Sequence, residues 1–442
     1  MAYRLHYLRD GAGFMSFKKI AIIGAGPKAM AIASKTKVLA ELGFAVPEIH
    51  IIEKRAVGAN WSGDFGYTNG KLELGTSPEK DIGFPYNSTC WDAATNQKVD
   101  ARMRDFSWQS FLIDQTKFSD WVDRGRPAPA HKEWADYLQW VWKLNKPRTT
   151  CHRGEVTRLR LTHDRWIVDY SDWERGNGTL ECDGLVVTGP GKIRLDSALP
   201  VHDNILNVES FWKAYGRFAE PNREPVSVAL VGNGENAASI AMALATLGKD
   251  RVNVDILSPQ GMAFSRGESF RENRVYSNAD NGHWETLNEV DRRNFIHRTD
   301  RGVFSISAQK ALDRADNVDV IPGRLQSVAA VSADGLEVTF EYSGIAKKKN
   351  YRYVIVATGS DQLSFLRSIM DESTEREVRR RANLEAFVPL SVEARIDHGL
   401  ELRGLNPRLH LPMLSGIAQG PGFANLSCLG RLSDRILKSY VA

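Results

Sequence analysis

Cysteine is scarce and dispersed: Cys90, Cys151, Cys182 and Cys428 are the only four in 442 residues. No C-x-x-C pair and no Cys/His cluster occurs, which excludes a dithiol redox centre of the disulfide-reductase kind and argues against any metal site. Long apolar runs are missing too, none approaching the ~20 residues of a membrane-spanning helix. The stretch Met1–Phe14 has no secretory apolar core. With Met15 just ahead of the first strand pattern, it reads as an extension without a catalytic role. Neither sign of charge dominates, and a net +4 is too mild to point to nucleic acid or a membrane surface. A reducing cytoplasm is the expected setting. What remains is ordinary globular composition, 25% charged and 42% hydrophobic, over a length that predicts two or three domains.

Against that background two glycine-rich turns stand out. Gly24-Ala-Gly26-Pro27-Lys28-Ala29 follows the apolar run Ile20–Ile23, and Gly232-Asn-Gly234-Glu235-Asn236-Ala237 follows Val226–Val231. Each copy of G-x-G-x-x-G/A lies between a strand pattern and a helix pattern, the context the motif needs. The first glycine permits a tight turn and the second lets backbone approach a pyrophosphate. A small third residue lets the helix pack on the strand, with its N-terminus facing phosphate. Two such turns imply two dinucleotides, most simply FAD and NAD(P)H, and hence a flavoenzyme.

The halves are alike beyond their turns. Helix patterns run over Met30–Leu42 and Ala237–Leu247, followed by strands Glu48–Ile52 and Val252–Leu257. Hairpin-like stretches come next, Glu155–Tyr170 and Leu325–Tyr342. Strands Cys182–Val187 and Tyr353–Ala357 then end in Thr188-Gly189 and Thr358-Gly359. The pattern predicts a doubly wound α/β architecture, two Rossmann-like domains with a small, mainly helical region besides. Phe65–Trp142 is rich in aromatics and reads as a helical cap on the sheet. Ser265–Ser307 reads as a polar insertion, and Thr374–Leu384 as a charged helix leading to a glycine-rich C-terminus that returns to the first domain.

Glu53 ends the second strand of the first unit, where a carboxylate can accept ribose hydroxyls from FAD or NAD alike. Trp61 follows in Gly58-Ala-Asn-Trp61, beside a flavin or simply in the core. The matching strand end in the second unit is Ser258, with no acid; Asp255 is mid-strand and out of reach of a ribose. Arg266 stands downstream and can clamp a 2′-phosphate, favouring NADPH over NADH.

The segments Leu74-Gly-Thr-Ser-Pro-Glu-Lys80-Asp81-Ile-Gly-Phe-Pro-Tyr86, Ser107-Trp-Gln-Ser110, Arg124–Pro129, Arg298-Thr-Asp-Arg-Gly-Val-Phe304 and Gln419–Leu429 together resemble the siderophore amino-acid N-hydroxylases, nearest their mycobactin-type lysine branch. The likeness extends from about Met15 to Leu437. It implies the class B flavin monooxygenase fold, with FAD over 15–200 and 361–442, NADPH over 201–262 and 311–360, and a substrate insertion over 263–310. It also implies that NADPH reduces FAD, that O₂ then gives a flavin hydroperoxide, and that the neutral side-chain amine of L-lysine is oxygenated for a hydroxamate siderophore. The protein supplies position and electrostatics, and no residue is assigned as catalytic acid or base.

By the same resemblance Lys80 holds the substrate carboxylate, with Asn273 and Ser427 at the amino-acid end. Asp300 pairs with a substrate ammonium, or with Arg298 or Arg301. Leu426 and the turn at Gly422 contact the flavin. A homo-oligomer, commonly a tetramer, is implied as well. Two features depart from the family: Ser360 replaces a usual tyrosine, and Tyr351 or Arg352 stands where an acid usually opens the last strand. His131, His283 and His297 read as packing or surface residues. Alternatives are L-ornithine or a diamine as substrate, one methylene being worth only ~1–3 kcal/mol in a pocket. Remoter ones are a Baeyer–Villiger or sulfur-oxidising monooxygenase, or a flavin-binding sensor without turnover.

Overall fold

The computed structural model describes residues 18–441, except 190, 194–198, 221–223, 281–282 and 334. The extension read over Met1–Phe14 therefore lies outside the described residues. Two sheets, one mixed and one parallel, organise the chain. The first has seven strands, in the order Arg408–His410, Gly184–Val187, Lys19–Ile23, Glu48–Glu53, Thr149–Leu161, Trp166–Asp172, Gly176–Cys182. Its first five run parallel and its last three form an antiparallel meander. The second has five parallel strands, in the order Val318–Pro322, Val252–Ser258, Val226–Val231, Tyr353–Val356, Ile205–Asn207.

Each sheet reads as it does for a physical reason. Ile20, Ala21 and Ile22 are fully buried, as are Val228, Ala229 and Leu230, so the central strands are continuous apolar runs rather than alternating ones. A separate three-stranded meander, Arg324–Ala330, Leu336–Tyr342 and Ile345–Tyr351, accompanies the second sheet. The sequence pattern indicates only its first two strands, because the third, Ile-Ala-Lys-Lys-Lys-Asn-Tyr, is exposed until Tyr351. Its lysines blunt a sheet edge. Likewise the expected strand Cys182–Val187 is two strands, Cys182 ending one and Gly184 opening the next.

The domains are joined by a two-stranded ribbon, Lys192–Ile193 against Ser360–Asp361. The C-terminal part rejoins the first domain: Arg408–His410 pairs with Gly184–Val186, and the helix Leu429–Leu437 packs on the helix Pro27–Glu41. That contact contains a buried ion pair, Lys35 Nζ to Asp434 Oδ1 at 2.6 Å. The aromatic segment is core. Trp108, Trp134 and Tyr137 are almost fully buried, with Trp108 and Tyr137 edge-to-face at 5.6 Å between centroids. Burying an indole stabilises by roughly 4–6 kcal/mol before entropy is counted.

Candidate active site

The first glycine turn is shaped for close approach. Gly24 has φ +96°, and a Cβ there would lie 2.6 Å from Thr188 Oγ1, which itself donates to Ile23 O at 2.8 Å. Gly26, by contrast, would have nothing within 4 Å of its Cβ. It precedes the helix Pro27–Glu41, which has no side-chain cap and no acid in its first turn. Open backbone at an uncapped helix N-terminus suits a pyrophosphate. Beside it the Glu53 carboxylate accepts from Ala25 N at 2.8 Å and Arg55 N at 2.7 Å, which fixes it at the strand end with lone pairs to spare. Trp61 lies on the short helix Ala59–Ser62, half-buried against the aromatic core. These residues fit the adenosine and pyrophosphate of a dinucleotide such as FAD.

Lys28 turns from the glycine turn toward the C-terminal segment. Its side chain is buried, and its ammonium donates to Ala424 O at 3.0 Å and Met413 Sδ at 3.2 Å, in the C-terminal segment. Burial pulls its pKa down to about 8, against the opposing influence of Cys428 and Asp300. Gly422 has a packing reason of its own. A Cβ there would meet Tyr276 O at 1.8 Å, so glycine is what lets the helix Phe270–Ser277 approach this turn.

That helix brings the substrate candidates together. Ser269 and Glu272 form a capping box that fixes its start. Asn273, in its first turn, accepts from Lys80 Nζ at 3.0 Å and donates to Glu268 O at 2.8 Å. Burial, then the charge of Arg266, holds the Lys80 ammonium below the usual lysine range. Asp300 follows the helix Glu289–Thr299; its carboxylate is hydrogen-bonded to Asn425 and feels Arg301, Arg266 and Lys28. Burial nevertheless pushes its pKa up. Asn425 Oδ1 in turn accepts from Ser427 N at 2.9 Å, which joins Asp300, Asn425 and the buried Ser427 into one chain of contacts. Leu426, between them, is half-buried against the first domain's core.

At the second turn Gly232 has φ +130° and would place a Cβ 2.5 Å from Ala357 O. Gly234 precedes the uncapped helix Glu235–Ala245, and Asn236 is exposed on its first turn. Ser258, the matching strand end, is buried and donates to Met262 O at 2.8 Å. Asp255 accepts from Tyr351 at 2.6 Å and from Lys349, facing the meander. Arg266 donates to Glu268 Oε1 at 2.8 Å and Gly75 O at 2.8 Å, and lies 3.7 Å from Glu235. Burial raises the Glu235 carboxyl, opposed by Arg266. The turn and the open start of its helix fit a second dinucleotide.

Sequence reasoning missed several members. Asp81 is buried, accepts from Tyr86 Oη at 2.7 Å, Trp108 N at 2.9 Å and Gly83 N at 3.0 Å, and so holds the loop that carries Lys80. Burial lifts it to about 6 despite those bonds. An Asp two residues before Gly83 is an Asx-turn signal that could have found it. Asp280 bridges Arg431 and Arg435 on the last helix, tying the insertion to the first domain. Of the three histidines read as packing or surface residues, His283 is exposed, and His131 shares a hydrogen bond with Thr68 Oγ1 at 2.9 Å while burial lowers it to about 4. His297 contacts Gln260 at 3.2 Å on the surface. Among the described residues no group of three His, Cys, Asp or Glu could hold a metal, and no helix is long and apolar enough to cross a membrane.

Comparison with known proteins agrees with this geometry. Residues 98–362 match the family described as L-lysine 6-monooxygenase/L-ornithine 5-monooxygenase. The L-lysine N6-monooxygenase MbtG of Mycolicibacterium paratuberculosis is 39% identical over 95% of each chain, and that of Mycobacterium tuberculosis is 39% identical over 95% of this chain and 94% of its own. Among solved structures, the lysine monooxygenase NbtG from Nocardia farcinica superposes with a TM-score of 0.80 at 36% identity, covering 95% of this chain and 98% of that one. The Kutzneria ornithine N-hydroxylase KtzI, solved with reduced FAD, NADP⁺ and L-ornithine, shares the fold at TM-score 0.76 and 17% identity over 96% and 99% of the two chains. Two glycine turns on paired sheets, a lysine-bearing loop meeting an insertion helix, and this degree of identity lead to one conclusion: the chain belongs to the L-lysine 6-monooxygenase/L-ornithine 5-monooxygenase family.

Proposed function

We propose that this protein is an NADPH- and O₂-dependent L-lysine N6-monooxygenase, holding FAD on the first glycine turn and NADPH on the second, and that its N6-hydroxylysine serves hydroxamate siderophore assembly. FAD, when bound, supplies the oxygen-activating chemistry. The chain's own residues bind, orient and exclude water. The observation that carries the reading is the 3.0 Å contact between Lys80 Nζ and Asn273 Oδ1. It joins a loop of the first domain to the insertion and leaves a fixed cation for an α-carboxylate, with Ser427 at the same end. Asp300 accepts from the substrate's α-ammonium, apart from the reacting amine. Free lysine amine titrates near ~10.4, and only its neutral form is nucleophilic. Desolvation by this partly buried pocket favours that form. Arg266 exchanges Glu268 for the 2′-phosphate of NADPH. A cytoplasmic homo-oligomer completes the reading.

The test is product analysis by mass spectrometry after supplying L-lysine, L-ornithine and cadaverine in parallel, with FAD and NADPH, and with H₂O₂ quantified in each reaction. Hydroxylamine from lysine is expected. Product mainly from cadaverine would move the enzyme to diamines and remove the role of Lys80. NADPH consumption yielding only H₂O₂ with all three would reject the substrate assignment.

A further inference from the structure

The helix Pro27–Glu41 contains two buried lysines that the fold treats differently. Lys35 is neutralised by Asp434 at 2.6 Å. Lys28 has no carboxylate within 4 Å among the described residues; a carbonyl and a thioether are its polar neighbours. A buried ammonium with no carboxylate in contact is costly, and Asp300, beyond 4 Å, offsets only part of that cost. The same helix end adds positive charge of its own, with no acid in its first turn and no cap at Gly26. This cation lies between the turn suited to a pyrophosphate and the Ala424–Ser427 segment, which carries Leu426. Asp300 and Arg301 border a small cavity with Met413, Gly416, Pro421 and Ala424, and that cavity adjoins both neighbours of the ammonium.

We propose that Lys28 is the fixed cation that stabilises the negative charge the bound flavin gains on reduction. The proposal rests on FAD occupying the first turn. Hydride transfer from NADPH delivers two electrons and one proton to the ring, so reduction adds one negative charge unless a second proton follows. A cation held at this place favours the reduced state and tunes the ring's electronics.

The experiment measures binding of oxidised and reduced FAD, and the flavin midpoint potential, for the wild-type protein, Lys28→Met and Lys28→Arg. Lys28→Met is expected to bind oxidised FAD within about twofold of wild type and reduced FAD about tenfold more weakly. That tenfold difference lowers the two-electron potential by about 30 mV. Lys28→Arg keeps the charge and the potential. Equal weakening of both redox forms would assign Lys28 to the pyrophosphate or to the fold, and would overturn the proposal. An unchanged potential overturns it too. A wild-type protein that binds no FAD overturns both this and the assignment of the first turn.

Should Lys28→Met fail to fold, proton uptake on electrochemical reduction of the wild type, which supplies electrons alone, decides. Uptake rising from one toward two protons per flavin above about pH 8 supports the proposal, since Lys28 regains its proton as the ring becomes charged. Uptake fixed at one overturns it.

Discussion

Lys80→Met is the perturbation that separates the substrate assignment most cleanly from a general effect on the enzyme. It keeps side-chain length and removes charge. In the folded protein one of the three ammonium N–H bonds is directed to Asn273 Oδ1 at 3.0 Å, leaving the others for a substrate carboxylate. Asn273 stays anchored in the variant through its own bond to Glu268 O at 2.8 Å, so the helix is not released. A hydrogen bond to a charged group contributes about 1.5–3 kcal/mol, and a value near 2 kcal/mol corresponds to roughly 30-fold in KM for L-lysine. The carboxylate is remote from the reacting amine, so the loss is uniform binding and kcat changes little. Cadaverine has no carboxylate, and its KM stays within about twofold by the same reasoning. The assay is N-hydroxylated product by mass spectrometry across a concentration series of each substrate. Equal losses for lysine and cadaverine, or a collapse of kcat at unchanged KM, would refute the reasoning.

Two glycines make a contrasting pair. Gly26→Ala meets nothing within 4 Å in the protein, so thermal stability without FAD is expected to hold while flavin binding, read by absorbance, is lost. Gly422→Ala drives a Cβ to 1.8 Å from Tyr276 O and is expected to destabilise by 3 kcal/mol or more, roughly the upper range for overpacking, seen as a lower denaturation midpoint. Arg266→Ala is expected to raise KM for NADPH about tenfold and leave NADH unaffected, the loss of one phosphate contact. His410 sets a pH dependence. Burial lowers it to about 4, and its neutral ring donates from Nδ1 to Gly399 O and accepts at Nε2 from Tyr440, both at 2.8 Å. The folded pKa lies below the unfolded value of ~6.5, so this stabilisation is complete above ~6.5 and lost as pH falls toward the folded value, about 3 kcal/mol in all. Denaturant titrations across that window should show the decline, and His410→Asn should flatten it.

The two nucleotide turns were legible because backbone geometry forces their composition. Gly24 and Gly232 sit at φ +96° and +130° with Thr188 or Ala357 pressed against them. In the first half the Thr188 contact also gives a reason for the threonine that ends the closing strand. The buried strands announced themselves as apolar runs, and the cap by its indoles. Residues whose roles depend on distant partners stayed hidden. Lys28 finds Ala424 and Met413 nearly four hundred positions away, and Asp280 finds two arginines of the last helix. Nothing in local pattern marks either. The ribbon Lys192–Ile193 with Ser360–Asp361 is too short to carry a period, and the lysine-rich third strand of the second meander looks like solvated loop. Asp81, beside Lys80, is the more deeply buried of the two and holds the loop through partners that only the fold brings near.

The central claim is that two dinucleotides on one chain insert an oxygen atom from O₂ into the side-chain amine of lysine. The measurement that tests it most directly supplies the purified protein with FAD, NADPH, L-lysine and isotopically heavy dioxygen in ordinary water. One heavy oxygen atom in N6-hydroxylysine is the predicted result. Unlabelled hydroxylysine, or label acquired only from heavy water in the converse experiment, would contradict it.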